Sequence, residues 1–305
     1  MAKQLESLSE ELAAAVERVS AGVVAVHARP YIGQSGLVWR ENLILTTSEG
    51  IRSEENIKVI LPDGRAVVAG RLRGRDTGTD LALVEAETSG ATPVAIASDA
   101  GLKPGQLVLA VGRTANTGPI ASLGVVSGVS SEWKSWRGGR LNPFVRLDVN
   151  AYPTTAGGAA VDAAGGVIGL VSTGLSRSSV LAITRGTIDR VAPTLLEKGY
   201  VSRGFLGVAL QPVAIPENLR EKLGLEQKTG IMLVGVEPQG PAAAGGLIIG
   251  DILVATDGAP LHDPESLTYA LYNAAAGQTV SFRIVRGGTI QEVAVKVGER
   301  PGRGR

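Results

Sequence analysis

Residues 144–170 read FVRLDVNAYPTTAGGAAVDAAGGVIGL. A short apolar run leads into a proline turn, two consecutive glycines follow, and two further apolar runs resume the chain. This is the cadence of a loop that presents a nucleophile: glycines allow the sharp turn and β-branched residues restart the strand. Where the nucleophile would stand there is Ala156, which carries only a methyl group. The stretch thus points to short strands joined by tight turns and questions its own chemistry.

The remainder of the chain repeats that texture. Runs such as GVVAVHA, SGLVW, NLILTT, NIKVILP, DLALVEA, QLVLAVG and SVLAIT are β-branched and short, separated by Gly, Asp-Gly and Pro turns. The 41 glycines in 305 residues suit such turns better than long helices. Pro62-Asp63-Gly64 between two runs reads as a hairpin turn. Residues 1–20 differ, with Leu5, Leu8, Leu12, Val16 and Val19 at helical steps, and are expected to form an amphipathic helix docked on a core. A helical stretch over 184–204 connects to a second unit, with helical pieces at 216–223, 241–246 and 264–275. The expected organisation is an N-terminal helix at 1–20, a mainly β domain at 21–200, a second domain at 204–299 and a basic tail at 300–305.

Charge and composition exclude several roles. Lysine plus arginine (30) balance aspartate plus glutamate (29), so no field favours nucleic acid, and a polypeptide is the expected partner. There is no cysteine and there are two histidines, His27 and His262, so thiol chemistry is absent and no metal or cofactor is expected. No apolar run approaches the roughly 20 residues of a membrane-spanning helix. The N-terminal residues lack the basic start and apolar core of a secretory signal, so a cytoplasmic location is expected, with a periplasmic one as the alternative where a signal has been removed.

In order along the chain, ERVSAGVVAV, GLVW, NLILTTSEGI, IKVILPDGR, RDTGTDLALVEAE, LVLAVG, SLGVVSGV, the stretch quoted at the outset, RGFLGV and GIMLVGVEPQGPAAAGGLIIGDILVATDG resemble the HtrA (Deg-type) serine proteases. The resemblance implies a mainly β fold: a trypsin-like double β-barrel followed by one PDZ domain, a β-sandwich with two helices. It places the family's triad histidine at Glu49, its aspartate at Asp80 and its serine at Ala156, with the oxyanion loop at Thr154 and Thr155. A serine attacks only when a base takes its proton, and here both nucleophile and base differ. At Thr154, where the family has glycine, a β-branched residue disfavours an unusual φ.

These departures lead to the expectation of a non-enzyme, a pseudoprotease serving as a scaffold, chaperone or complex subunit. The alternative is a serine-type endopeptidase or other hydrolase with a rebuilt site, in which Glu49 and Asp80 form a carboxylate pair suited to acid–base work. The PDZ resemblance implies that Phe205, Leu206, Gly207 and Val208 bind a peptide's terminal carboxylate and that Leu267 and Leu271 line the side-chain pocket. The implied partners are polypeptide C-termini, and the chain is expected as a homotrimer, with Tyr31 retained in its N-terminal part, or as a hetero-complex subunit. Trp133 and Trp136, beside Lys134, Arg137 and Arg140, read equally as an interface patch or as a cover for the barrel end. Ser48, beside the base position, reads as an ordinary turn residue.

Overall fold

The computed structural model describes residues 2–29, 33–64, 66–98, 101–135, 137–202, 204–274 and 276–299. Tyr31, Trp136 and the tail at 300–305 lie outside these residues. The chain divides into two compact units, residues 1–201 and 202–305.

The first unit opens with α1 (Ala2–Ser20) and continues through β1 (Val23–His27), β2 (Gln34–Arg40), β3 (Leu43–Thr47), β4 (Ile57–Ile60), β5 (Val67–Asp76) and β6 (Leu81–Ala86). These strands close a barrel in the order β1-β2-β3-β6-β5-β4. A second barrel, order β9-β12-β11-β10-β7-β8, uses β7 (Leu107–Thr114), β8 (Gly118–Ser130), β9 (Phe144–Asp148), β10 (Ala159–Asp162), β11 (Val167–Ser172) and β12 (Val180–Thr184). Helix α2 (Arg185–Lys198) closes the unit and ends on Gly199 in the left-handed conformation.

The continuous apolar runs follow from burial of both strand faces. Alternate residues of a strand point to opposite sides. On β3 and β6, Ile44, Ala82 and Val84 fill the first barrel, whereas Leu45, Leu81 and Leu83 face a second cluster outside it. On β7 and β10, Val108, Ala110 and Ala160 fill the second barrel, and Leu109, Val111, Ala159 and Val161 join that same outer cluster. Ala15 and Val19 of α1 and Ile188, Val191 and Leu195 of α2 complete it. The barrels are therefore cemented by a shared core. Docking of α1 is partial: its last turns are buried, but Leu5 remains 64% and Leu8 37% exposed, so only part of the expected stripe meets the barrel. Trp133 resolves toward a cover, packing at 5.4 Å between ring centroids on Phe144 and against the shared core.

The second unit forms a sheet in the order β13-β14-β15-β16-β17: β13 (Val208–Ala214), β14 (Thr229–Val236), β15 (Ile252–Thr256), β16 (Thr279–Arg286) and β17 (Thr289–Lys296). Strand β13, which contains Pro212, is an end strand. Helices α3 (Glu217–Leu223), α4 (Pro241–Ala244) and α5 (Pro264–Asn273) accompany it, around a core of Leu206, Ile231, Leu233, Leu253, Leu267 and Phe282. Helix α5 starts with a capping box: the Asp263 carboxylate accepts from the Ser266 amide at 2.7 Å, and the Ser266 hydroxyl reaches back to the Asp263 amide at 3.3 Å. His262 is exposed beside it. Asp263→Ala is expected to destabilise the second unit by about 1 kcal/mol, the usual worth of such a cap. Urea denaturation followed in this unit measures it, and an unchanged midpoint would refute the assignment.

Candidate active site and peptide groove

The turn after β5 fixes Asp80. Buried Asp76 accepts from the Gly78 amide (3.1 Å), the Thr79 amide (3.2 Å) and the Thr79 hydroxyl (2.7 Å), and Ser135, between β8 and β9, donates to the Gly78 carbonyl at 2.6 Å. The chain then carries Asp80 in the left-handed region, φ 55°, unusual for a residue with a side chain and typical of places where strain serves a site. Asp80 is fully buried. Its Oδ1 accepts from the Glu49 amide at 2.8 Å and its Oδ2 from the Ser172 hydroxyl at 2.7 Å.

Glu49 is exposed at the end of the β3 turn, where Arg29 donates to its carbonyl. A Cβ placed on Gly174 would stand 2.2 Å from Glu49 Oε2 and 2.9 Å from Asp80 Oδ2, so the two oxygens lie no more than about 5 Å apart, the sum of those distances. Only glycine leaves room there for both carboxylates. Burial pushes Asp80 up to about 6, and the Glu49 charge adds to the rise, whereas the Ser172 and Glu49 hydrogen bonds and the Arg137 charge oppose it.

Ala156 is buried on the same seam. Pro153–Thr155 form a single 3₁₀ turn in which the Thr155 amide and hydroxyl both donate to the Tyr152 carbonyl, at 2.9 and 2.7 Å. Ser35 holds this turn twice, its amide donating to the Ala156 carbonyl at 2.8 Å and its hydroxyl to the Thr154 carbonyl at 2.5 Å. The left-handed residue is Gly157, φ 82°, so Thr154 is accommodated without positive φ. Gly157 donates to the Val171 carbonyl, next to the Ser172 that bonds Asp80. The three positions flagged in the sequence thus share one framework. Ser35, Ser172 and Gly174 complete it and carry no local sequence signal. A cavity of about 940 Å³ lined by Glu41, Arg71, Glu85 and Glu87 lies on the outside of the first barrel and contains none of these residues. His27 is half-buried against Gly33, and Ser48 is buried, its amide donating to the Asp80 carbonyl.

In the second unit, Phe205 pairs with Gly298, the Leu206 carbonyl accepts from the Ala242 amide at 2.9 Å, and Gly207 takes a left-handed φ of 74°. Among the described residues the Leu206 and Gly207 amides find no acceptor. Leu206 and Leu267 are buried, and Leu271 packs on the same core.

Two barrels sharing this seam, followed by a separate small β unit, have the fold of a trypsin-like double barrel followed by a PDZ domain, and the chain is similar to proteases of the HtrA and DegP type. Residues 34–170 match the trypsin-like peptidase domain and residues 204–297 the PDZ domain. Among curated relatives, a probable periplasmic serine endoprotease DegP-like of Pseudomonas fulva is 31% identical over 275 residues, covering 88% of this chain and 56% of the relative. One of the same description from Brucella suis is 30% identical over 283 residues, covering 90% and 54%. The chain spans about half the length of the curated relatives it matches. Among solved structures, the HtrA-type protease AlgW with a decapeptide superposes with a TM-score of 0.70 at 26% identity, covering 94% of this chain and 98% of that one. AlgW with a tripeptide gives 0.67 at 29% identity, covering 95% and 97%.

These relatives correct two expectations. A non-enzyme was expected from Glu49 and Ala156, but the relatives and structural neighbours are named serine endoproteases and proteases, which points to an enzyme. Two substituted positions remove one route to hydrolysis and do not establish inactivity. A cytoplasmic location was expected from the N-terminal residues, but the curated relatives are named periplasmic. The first residues of a chain report only on themselves. Among the described residues no helix is long and apolar enough to cross a membrane.

Proposed function

We propose that the chain is an extracytoplasmic polypeptide hydrolase of the HtrA type that holds polypeptide C-termini in its PDZ groove and cleaves with water activated at the Glu49–Asp80 pair. The convergence of the two carboxylates on Gly174 carries this reading. Ala156 offers no oxygen to acylate, so water is the nucleophile. Exposed Glu49 takes a proton from water as the oxygen adds to the peptide carbonyl, and returns it to the departing amine as the C–N bond breaks. Buried Asp80 anchors Glu49 by accepting a hydrogen bond from its amide. In the groove, the free amides of Leu206 and Gly207 receive the terminal carboxylate, Phe205 and Val208 flank them, β13 accepts the peptide as an added strand, and Leu267 and Leu271 contact its last side chain. The names of the relatives and the peptides present in the AlgW structures support this assignment.

Cleavage of unfolded casein, followed by mass spectrometry of the fragments, tests it. Glu49→Gln is expected to lower the rate on the order of 100-fold, the usual worth of a general base. A serine-directed fluorophosphonate is expected to leave wild-type activity intact. Absence of cleavage by the wild type, or a Glu49→Gln rate equal to it, would overturn the mechanism.

A further inference from the structure

Gly207 has an acidic neighbour that a loop receiving carboxylates does not need. The Glu237 amide donates to the Gly207 carbonyl at 2.8 Å, and a Cβ on Gly207 would stand 3.1 Å from Glu237 Oε2 and 3.2 Å from its Cβ. The exposed Glu237 side chain therefore lies along the glycine. Val208 and Val236 are paired and both pack on the unit's core, on strands whose alternate residues face opposite sides, and Glu237, one residue beyond β14, is exposed to solvent.

We propose that Glu237 makes the groove select peptides with a basic residue immediately before an apolar C-terminal residue; this rests on the groove assignment made above. A peptide added to β13 alternates in the same way. Its last side chain enters the apolar pocket of Leu206, Leu267 and Leu271, and the preceding one projects to the face on which Glu237 stands. There Lys or Arg meets an opposite charge and Glu meets a like one. Glu237 also repels the terminal carboxylate itself, and a penultimate cation offsets that repulsion.

Fluorescence anisotropy of the full chain with labelled synthetic hexapeptides ending Val-Lys-Leu and Val-Glu-Leu, each as free acid and amide, reads this directly. The wild type is expected to bind the lysine peptide about five-fold more tightly than the glutamate peptide at low salt, a ratio typical of exposed charge pairs, and the ratio shrinks in 0.5 M salt within a short screening length. Glu237→Gln is expected to bring the ratio to about one, and Glu237→Lys to invert it. An unchanged ratio in Glu237→Gln, with free acids still preferred over amides, would overturn the selectivity while leaving the groove in place. Equal binding of amides and acids, or no binding of any peptide, would overturn the groove assignment and this inference together.

Discussion

Asp80→Asn is expected to stabilise the first unit at pH 7.5 by up to about 3 kcal/mol. The Asp80 carboxyl ionises at about 6 in the fold against 3.8 in the unfolded chain. A group whose folded pKa is raised binds its proton more tightly when folded, so its contribution is fully present below pH 3.8, declines between 3.8 and about 6, and is lost above. Two units at about 1.4 kcal/mol each give the magnitude. Asparagine never ionises and can keep both partners: its oxygen accepts from the Glu49 amide and its NH₂ group donates to Ser172, whose hydroxyl can rotate. Urea unfolding at pH 4.5 and 7.5 should show the variant's advantage growing from about 1 kcal/mol at the lower pH to about 3 kcal/mol at the higher. A variant less stable than wild type at pH 7.5, with the wild-type pH slope, would show that burial does not control this group.

Gly157→Ala is expected to cost about 4 kcal/mol and to lower the melting temperature by about 10 °C. At φ 82° any side chain is strained, and here the Cβ would also stand 2.1 Å from the Ser35 carbonyl oxygen and 2.7 Å from the Thr46 hydroxyl. The Ser35 carbonyl is itself held, accepting from Thr46 at 2.6 Å. Relief requires the turn to withdraw, which breaks the bonds from Ser35 to the Ala156 carbonyl and from Gly157 to the Val171 carbonyl. Strain of about 1 to 2 kcal/mol and about 1 for each buried hydrogen bond make up the loss. Gly90→Ala is the control: φ is 85° and nothing lies within 4 Å, so only the conformational part applies. Calorimetry that ranked the two substitutions equal would remove the steric argument.

The fold was legible because its signals are local. Short β-branched runs such as NLILTT and turns such as Pro62-Asp63-Gly64 act over a few residues. The uninterrupted apolarity of β3, β6 and β7 was readable as strand, but its cause, a core on each side of the same strands, depends on how the barrels meet. Helix α1 was also readable, though not that Leu5 and Leu8 would stay outside the core. At the candidate site, Glu49, Asp80 and Ala156 were reachable through resemblance. Ser172 and Ser35 were not, since they act on Asp80 and Thr154 across 92 and 119 residues of sequence. Glu237 was invisible for the same reason, being one acid among many until Gly207 is beside it.

Pro212 sets a limit of its own. The Ile215 amide donates inward to the Lys228 carbonyl, so alternation turns the nitrogens of residues 214, 212 and 210 toward the open side of β13. At 212 that nitrogen carries no hydrogen, an arrangement that blunts an unpaired strand against indefinite growth. A guest strand finds donors near Val208 and Leu210 and then a gap. On the groove assignment proposed above, the edge measures its ligand, admitting only the last few residues of a chain, and it offers no continuous ladder along which two copies of the sheet could zip together.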